Sequence, residues 1–369
     1  MNTKKTKIIS SAVVAGIATI PQIQAQFSPT PDFKGVIGKT LFESKPDAQI
    51  YKSAPKGAPN VVWVLIDDVG FGASSSFGGL IKTPTLDSLA NNGLRYSNFH
   101  TEAYSAPTRA ALLTGRNHHS VHMGFFTEAA IEYPGYDGRI PFEKASVADI
   151  LKENYYNTFA VGKWHVTPVR DATQAGPFNR WPTGLGFEKY YGFLFGESDQ
   201  YVPQLWENTD KVDSDLKGKT FNASIADKAI KYIANQKSAA PDKPFFLYYA
   251  PGATHAPHQV PREWSEKYRG KFDKGWDWYR EEVLKNQKKL GLVPSNAELP
   301  KRNPGVASWD SLSKDEKTVY TRLFENYAGF LSETDYEIGR VVNYIRQIGQ
   351  LDNTIIFVII GDNGASAEG

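Results

Sequence analysis

The stretch NVVWVLIDD, residues 60–68, sets the fold class because six consecutive apolar residues run directly into Asp67 and Asp68. An apolar run without alternation is typical of a strand that is buried on both faces, as in a parallel sheet. The two acids therefore mark the carboxyl end of a central strand. Ligands bind at that end in open α/β sheets.

Three further apolar segments end in polar residues in the same way. NTFAVGKWH (157–165), FFLYYAPGATHAPH (245–258) and TIIFVIIGDNG (354–364) each predict a strand with reactive side chains at its carboxyl end. Helical patterns separate these segments. Strands alternating with helices predict an α/β fold with a mainly parallel or mixed central sheet flanked by helices.

The connecting segments carry more local signals. Thr83 as N-cap, Pro84 at the first helical position and Gly93 as a stop predict a helix over 83–93. The alternating LRYSNF (94–99) predicts a further strand. Residues 200–220 and 256–315 lack such regularity and are expected to be insertions over the face of the sheet.

Composition limits the function classes. The 369 residues include 42 Lys plus Arg and 40 Asp plus Glu, and a net charge of +2 gives no reason to expect a nucleic acid or a membrane surface as partner. The chain has no cysteine. Disulfides, thiolate metal sites and a cysteine nucleophile are thereby excluded.

The N-terminus has the pattern of a secretory signal peptide. The basic MNTKKTK precedes an apolar run from Ile8 to Ile20, and Ala25 offers a small residue for cleavage. The alternative is a membrane anchor, but the run is shorter than the roughly 20 residues that a span needs. We expect residues 1–25 to be a signal peptide, residues 26–57 to be an extended lead-in, and the mature protein to be periplasmic or secreted.

The polar residues at the strand ends suggest one kind of chemistry. Carboxylate and amide oxygens at the ends of the first and last strands suit Ca²⁺ or Mg²⁺ and not zinc. Cationic side chains and histidines facing such an ion would form a pocket for a compact tetrahedral oxyanion, with a histidine to protonate the leaving oxygen. This is esterase chemistry on sulfate or phosphate. The residues concerned are Asp67, Asp68, Asp362 and Asn363 for the metal, and Arg109, Lys163, His165 and His255 for the anion.

The segment SAPTRAALLTGR, residues 105–116, raises the question whether Ser105 caps a helix or acts as a nucleophile. Ser105-x-Pro107-x-Arg109 followed by AALLTGR closely resembles the signature of the sulfatase family. IDD, GKWH, THAPH and DNG match that family in the same order, and the likeness is greatest to bacterial arylsulfatases. The resemblance covers residues 58–369 as a catalytic domain and implies an alkaline-phosphatase-like sulfatase fold.

The resemblance also implies residue roles. Ser105 would be oxidised by a maturase to formylglycine, whose hydrate attacks a small-molecule sulfate ester and later expels sulfate. Ca²⁺, with Mg²⁺ as the alternative, would be held by Asp67, Asp68, Asp362, Asn363 and modified Ser105. Arg109 would steady the hydrate, Lys163 would bind sulfate, His165 would assist the hydrate, and His255 would protonate the leaving oxygen. His118 and His119 match no functional position and are expected to be structural.

Family members continue past Gly369 with a smaller C-terminal subdomain and a second sulfate-binding lysine. We therefore expect this chain to be a truncated form that is weakly stable or poorly active alone. Three alternatives stay open. One is a phosphodiesterase or phosphonate monoester hydrolase of the same superfamily, another is an inactive metal-binding homologue, and the third is a plain serine phosphatase.

Overall fold

A computed structural model describes residues 33–47 and 53–365. The predicted signal peptide lies outside these residues, as do residues 26–32 and 48–52 of the predicted lead-in. Residues 33–47 belong to a small separate unit, in which Val36 and Lys45 form an antiparallel bridge. The second unit begins at Ser53 and carries all the helices and strands described below.

The second unit is built on a mixed sheet of seven strands, which confirms the predicted mixed sheet and includes the four strands predicted within 60–68, 157–165, 245–258 and 354–364. In sheet order the strands are β5-β4-β3-β2-β6-β1-β7. Strands β3, β2, β6, β1 and β7 run parallel, whereas β4 and β5 form an antiparallel edge. The strand bounds are β1 Asn60–Ile66, β2 Asn157–Lys163, β3 Lys189–Phe193, β4 Leu205–Glu207, β5 Asp210–Val212, β6 Phe245–Ala250 and β7 Thr354–Ile360.

Helices cover both faces of this sheet. Alternate residues of β1 enter different cores: Val62 and Val64 pack with the residues of the α4 and α7 side, whereas Leu65 packs with the α2 and α3 side. This explains why the apolar run of β1 shows no alternation. The helices are α1 Pro84–Asn91, α2 Ser105–Thr114, α3 Val147–Glu153, α4 Phe221–Ala239, α5 Arg262–Glu266, α6 Gly275–Lys289 and α7 Lys314–Gln347.

Helix α1 begins at Pro84, after the predicted N-cap Thr83, but Thr83 does not cap it with its side chain. The Thr83 hydroxyl instead bonds the hydroxyls of Ser74 and Ser75. The free N–H groups of Thr85 and Leu86 donate to the carboxylate of Asp335 on α7. A buried acid from a distant helix thus satisfies the helix start.

The strand predicted over 94–99 is wrong. This segment is irregular, and Leu94 and Tyr96 are 82% and 70% exposed. A strand needs a partner for its backbone groups, and this segment pairs with none of the seven strands of the sheet. The alternating pattern alone could not reveal that.

Two segments expected to lack regular structure contain some. Within 200–220, β4 and β5 form a hairpin that extends the sheet, and within 256–315 helices α5 and α6 form. Helix α6 is strongly charged, and little of it is buried, which hides its helical periodicity. Among the described residues, no helix has both the length and the apolar character that crossing a membrane requires.

Candidate active site

The carboxyl ends of β1, β2, β6 and β7 open into a cavity of about 540 Å³. Because these strands are parallel neighbours, their ends lie at one edge of the sheet. The predicted site residues that line the cavity are Asp68, Ser105, His165, His255 and Asn363. The fold thus brings together residues that are far apart in sequence.

Ser105 is the first residue of α2, and the N-cap position belongs to Tyr104. The Ser105 hydroxyl is not used to cap the helix, because it lies 2.8 Å from Nδ1 of His165. It also sits at a helix N-terminus, where free N–H groups favour an anion. In this geometry Ser105 lines the cavity, and its reactivity stays a prediction.

His165 follows β2 in a left-handed backbone conformation, with a φ of 59°. Its Nε2 lies 2.8 Å from Oε2 of Glu128, so the ring bridges Glu128 and Ser105. Burial lowers the pKa of His165 to about 4. Burial opposes ionisation of Glu128, but the hydrogen bond and charge interaction with His165, together with further hydrogen bonds, outweigh it and lower the pKa of Glu128 to about 2. At neutral pH, an uncharged imidazole therefore lies between a carboxylate and the serine.

Arg109, Lys163 and Asp67 form a buried charge cluster beneath the cavity. The Arg109 side chain is fully buried and donates to Asp67 Oδ2 at 3.2 Å, to the Lys163 carbonyl at 2.8 Å and to the Tyr248 hydroxyl at 3.2 Å. Lys163 Nζ forms a close ion pair with Asp67 Oδ2. Burial disfavours the Asp67 anion, but these two cations outweigh it and hold the pKa of Asp67 well below its ordinary value.

Asp68, which follows β1, contacts residues that follow β6 and β7. Asn363 Nδ2 donates to Asp68 Oδ1 at 2.7 Å, and His255 Nε2 lies 3.7 Å from Asp68 Oδ2. Burial and the adjacent charge of Asp67 raise the pKa of Asp68. A cation next to these two carboxylates would relieve that electrostatic cost.

Asp362 faces a different neighbour. Its carboxylate accepts the Thr101 N–H at 2.9 Å and contacts His100 Nδ1 at 2.6 Å. The side chains of residues 33–47 and 53–365 do not form a cluster of three or more His, Cys, Asp or Glu that could hold a metal ion. Asp67, Asp68 and Asn363 nevertheless fit a hard cation in donor chemistry. The participation of Asp362 stays a prediction.

Two kinds of cavity residue escape the sequence-based prediction. Glu128 lies in a short 3₁₀ turn in a segment with no pattern that indicates a site, and only the fold brings it to His165. Tyr104, Phe126 and Phe195 add an aromatic wall. Tyr104 packs on Phe126 with ring centroids 5.8 Å apart. Aromatic residues of this kind are hard to separate from core residues by sequence alone.

The histidines expected to be structural have local partners. His118 pairs with Glu102 at 2.8 Å, and His119 Nε2 lies 3.0 Å from the Tyr136 hydroxyl. Neither lines the cavity. This geometry agrees with a structural role.

The sequence of this chain is similar to those of known sulfatases. A family model described as Sulfatase matches residues 59–369. An uncharacterised sulfatase of Schizosaccharomyces pombe is 34% identical over 338 residues, which are 85% of this chain and 59% of that protein. An arylsulfatase of Klebsiella aerogenes is 28% identical over 325 residues, which are 85% of this chain and 68% of that enzyme. The chain thus spans little more than half the length of the first of these relatives.

Solved structures share the fold. A sulfatase-like protein of Bacteroides fragilis superposes with a TM-score of 0.61 at 22% identity, covering 84% of this chain and 63% of that one. The protein BT4656, solved in complex with its substrate D-glucosamine-2-N,6-O-disulfate, superposes with a TM-score of 0.55 at 25% identity. That match covers 82% of this chain and 65% of the other. The first of these likenesses concerns the fold alone.

Proposed function

The chain belongs to the sulfatase family, and from that premise we propose that it is an arylsulfatase that hydrolyses sulfate monoesters. The observation that carries the proposal is the placement of Ser105. Its hydroxyl lies in the cavity, next to His165 and close to Asp68 and Asn363. These are the residue types that a sulfate-transferring nucleophile and a hard cation require.

The proposed reaction depends on two groups that the chain would acquire. Formylglycine made from Ser105 by a maturase would supply the oxygen nucleophile, and Ca²⁺ or Mg²⁺ would neutralise the anionic ester. Asp67, Asp68, Asp362 and Asn363 would hold the cation together with residue 105. Asp67 and Asp68 are buried acids, and Asn363 is already bonded to Asp68.

The chain's own side chains would perform the remaining tasks. Arg109 and Lys163 supply positive charge beneath the cavity, which favours binding of an anion. His165 Nδ1 is placed to accept a proton from the oxygen of residue 105. His255 lines the cavity, with Nε2 3.7 Å from Asp68 Oδ2, and would protonate the departing oxygen.

An aryl leaving group is supported by the wall of the cavity. Tyr104, Phe126 and Phe195 line it, and an aromatic ring can pack against such side chains in offset or edge-to-face geometry. We expect Tyr104→Ala to raise KM for p-nitrophenyl sulfate while leaving KM for a small alkyl sulfate nearly unchanged. An equal rise for both esters would count against an aryl site.

The proposal is tested by co-expressing the chain with a serine-competent maturase. Mass spectrometry of the Ser105 peptide is expected to show loss of two hydrogens, and the modified protein is expected to hydrolyse p-nitrophenyl sulfate. Ser105→Ala should abolish this activity. A modified, folded protein that cleaves a phosphonate ester and leaves the sulfate ester intact would favour the phosphonate hydrolase alternative.

A further inference from the structure

We propose that Glu128 is a positioning residue that fixes the tautomer and the orientation of His165, so that the Nδ1 lone pair points at the oxygen of residue 105. The contacts of Glu128 lead to this assignment independently of the substrate. Its effect on turnover rests on the proposed sulfatase function.

The tautomer follows from the partners of the Glu128 carboxylate. Oε1 accepts the Gly196 N–H at 3.1 Å, and Oε2 accepts the Thr127 hydroxyl at 3.0 Å. Oε2 also lies 2.8 Å from His165 Nε2. An ionised carboxylate only accepts hydrogen bonds, so Nε2 must carry the hydrogen. A neutral imidazole has one N–H, which leaves Nδ1 as the acceptor for the Ser105 hydroxyl at 2.8 Å.

The orientation of the ring is constrained from a second side. A Cβ atom built on Gly196 would lie 2.9 Å from Cε1 and 3.1 Å from Nε2 of His165. Glycine at 196 therefore lets the backbone approach the ring closely, and the same residue donates its N–H to Glu128. The His165 side chain is 7% exposed, whereas the Glu128 side chain is 35% exposed. The Glu128 carboxylate thus lies between the buried His165 ring and solvent.

The proton transfer that this arrangement permits is balanced. The O–H bond at residue 105 breaks, and an N–H bond forms at His165 Nδ1. The imidazolium then has two N–H groups, one of which faces the ionised Glu128. Glu128 keeps its charge throughout and stabilises the cation electrostatically without itself accepting the proton.

Glu128→Gln is the informative substitution because it keeps the shape and removes the all-acceptor character. The glutamine amide has one donor and one acceptor end, but Gly196, Thr127 and His165 all present donors to this position. When the NH₂ end faces His165, Nε2 must become the acceptor and Nδ1 takes the hydrogen. Nδ1 can then no longer accept a hydrogen bond or a proton from the oxygen of residue 105.

The first readout is ¹⁵N NMR of the imidazole rings in the unmodified full chain, with His165 assigned by comparison with His165→Asn. We expect wild type to show a protonated Nε2 and an unprotonated Nδ1. In Glu128→Gln we expect a mixture of tautomers. An unchanged tautomer in a folded Glu128→Gln protein would overturn the proposal.

The second readout is steady-state kinetics of the modified protein. Glu128→Gln is expected to lower kcat by about 10- to 100-fold, by analogy with the loss of an outer-shell partner of a metal-ligating histidine. KM should stay nearly constant. Glu128→Asp keeps the charge and should restore part of kcat. The matched control is Glu132→Gln, at an acid that is 63% exposed and pairs with Arg139. An unchanged kcat, or a KM that rises as kcat falls, would contradict the positioning role.

The two readouts separate the two proposals. If wild-type protein carries the modification and lacks sulfatase activity, the proposed function fails, and the NMR result alone decides the role of Glu128. If Glu128→Gln does not fold, Glu128→Asp is measured in both assays. In that case a wild-type tautomer with a partly reduced kcat supports the proposal, and a wild-type kcat opposes it.

Discussion

Asn363 Nδ2 donates a 2.7 Å hydrogen bond to Asp68 Oδ1 and so joins the ends of β7 and β1 across 295 positions of sequence. Asp68 lies next to Asp67 and is buried, which raises the pKa of Asp68. Two adjacent carboxylates in a buried setting are costly unless positive charge compensates them. We therefore expect a cation bound beside Asp68 and Asn363 to stabilise the fold.

We predict a crossover in stability between wild type and Asp68→Asn. Without divalent cations, the variant should unfold at the same or a higher urea concentration, because it lacks a charge that burial disfavours. Addition of Ca²⁺ at about 100 times its Kd should stabilise wild type by about 2.7 kcal/mol and the variant far less. Urea unfolding in chelator and in Ca²⁺ measures both effects. Equal stabilisation of both proteins would place the cation elsewhere.

Arg109 is predicted to be needed for folding as well as for anion binding. Arg109→Ala would leave Asp67 with a single cation and create a hole beside Tyr248, and removal of one partner of a buried pair costs about 3–5 kcal/mol. Arg109→Lys should recover part of this loss, because it restores the charge and not the forked contacts. The measurement is the urea midpoint.

The control for Arg109 is Arg170→Ala. The Arg170 side chain is 82% exposed, and its contact with Glu132 is long, at 3.8 Å. Its loss should therefore change stability by less than about 0.5 kcal/mol. A stability loss of similar size for Arg109→Ala and Arg170→Ala would mean that the buried cluster does not carry the expected energy.

His255→Ala is predicted to have an effect that depends on the leaving group. A poor leaving group needs a proton as the ester bond breaks, whereas p-nitrophenolate departs without one. Loss of a general acid typically costs 10²- to 10⁴-fold. We expect a loss in this range for an alkyl or a simple phenyl sulfate and a much smaller loss for p-nitrophenyl sulfate. A uniform loss across a series of substituted phenyl sulfates would assign His255 to binding instead.

Glu333 on α7 is predicted to make the protein less stable as the pH rises. Burial raises the pKa of Glu333 from 4.5 to about 7, despite hydrogen bonds from Asn222 and Thr220. The folded state therefore holds a proton that the unfolded state releases, and stability falls between pH 4.5 and 7. Glu333→Gln removes this contribution.

The Glu333 contribution is measured by comparing how the unfolding free energies of wild type and Glu333→Gln change with pH. Relative to Glu333→Gln, wild type should lose about 2–3 kcal/mol of unfolding free energy between pH 5 and pH 8. Comparing the two proteins cancels the titration of other groups, such as Asp67, whose lowered pKa acts in the opposite direction. Parallel pH profiles for the two proteins would show that Glu333 stays ionised in the fold.

The sequence was sufficient to predict β1, β2, β6 and β7 because these four strands are apolar runs, whereas the shorter β3, β4 and β5 were not predicted. Asp68, Lys163 and Asn363 all follow such runs directly, so their meeting at one edge follows from parallel pairing. Ser105 was found through its motif and through its position at the start of a helix. These are local signals combined with one general rule about sheets.

What escaped prediction depends on contacts between distant segments. Glu128 carries no local pattern, and its importance comes from Gly196 and His165, which reach it only in the folded chain. The alternation in 94–99 indicated a strand, but this segment pairs with no strand of the sheet. Asp362 lies where the motif predicts, yet its bonds to His100 and Thr101 could not be read from DNG.

Strand β7 is the outermost strand on its side of the sheet within the described residues, and it delivers Asp362 and Asn363. Ile355 and Phe357 on this strand are about half exposed, so less packing anchors it than anchors β1 or β6. Fraying of this one strand would remove two of the five proposed cation donors while the remaining sheet stays intact. The proposed cation site can therefore be lost before the protein unfolds globally. Hydrogen exchange of the β7 backbone amides would detect that loss earlier than any global unfolding signal.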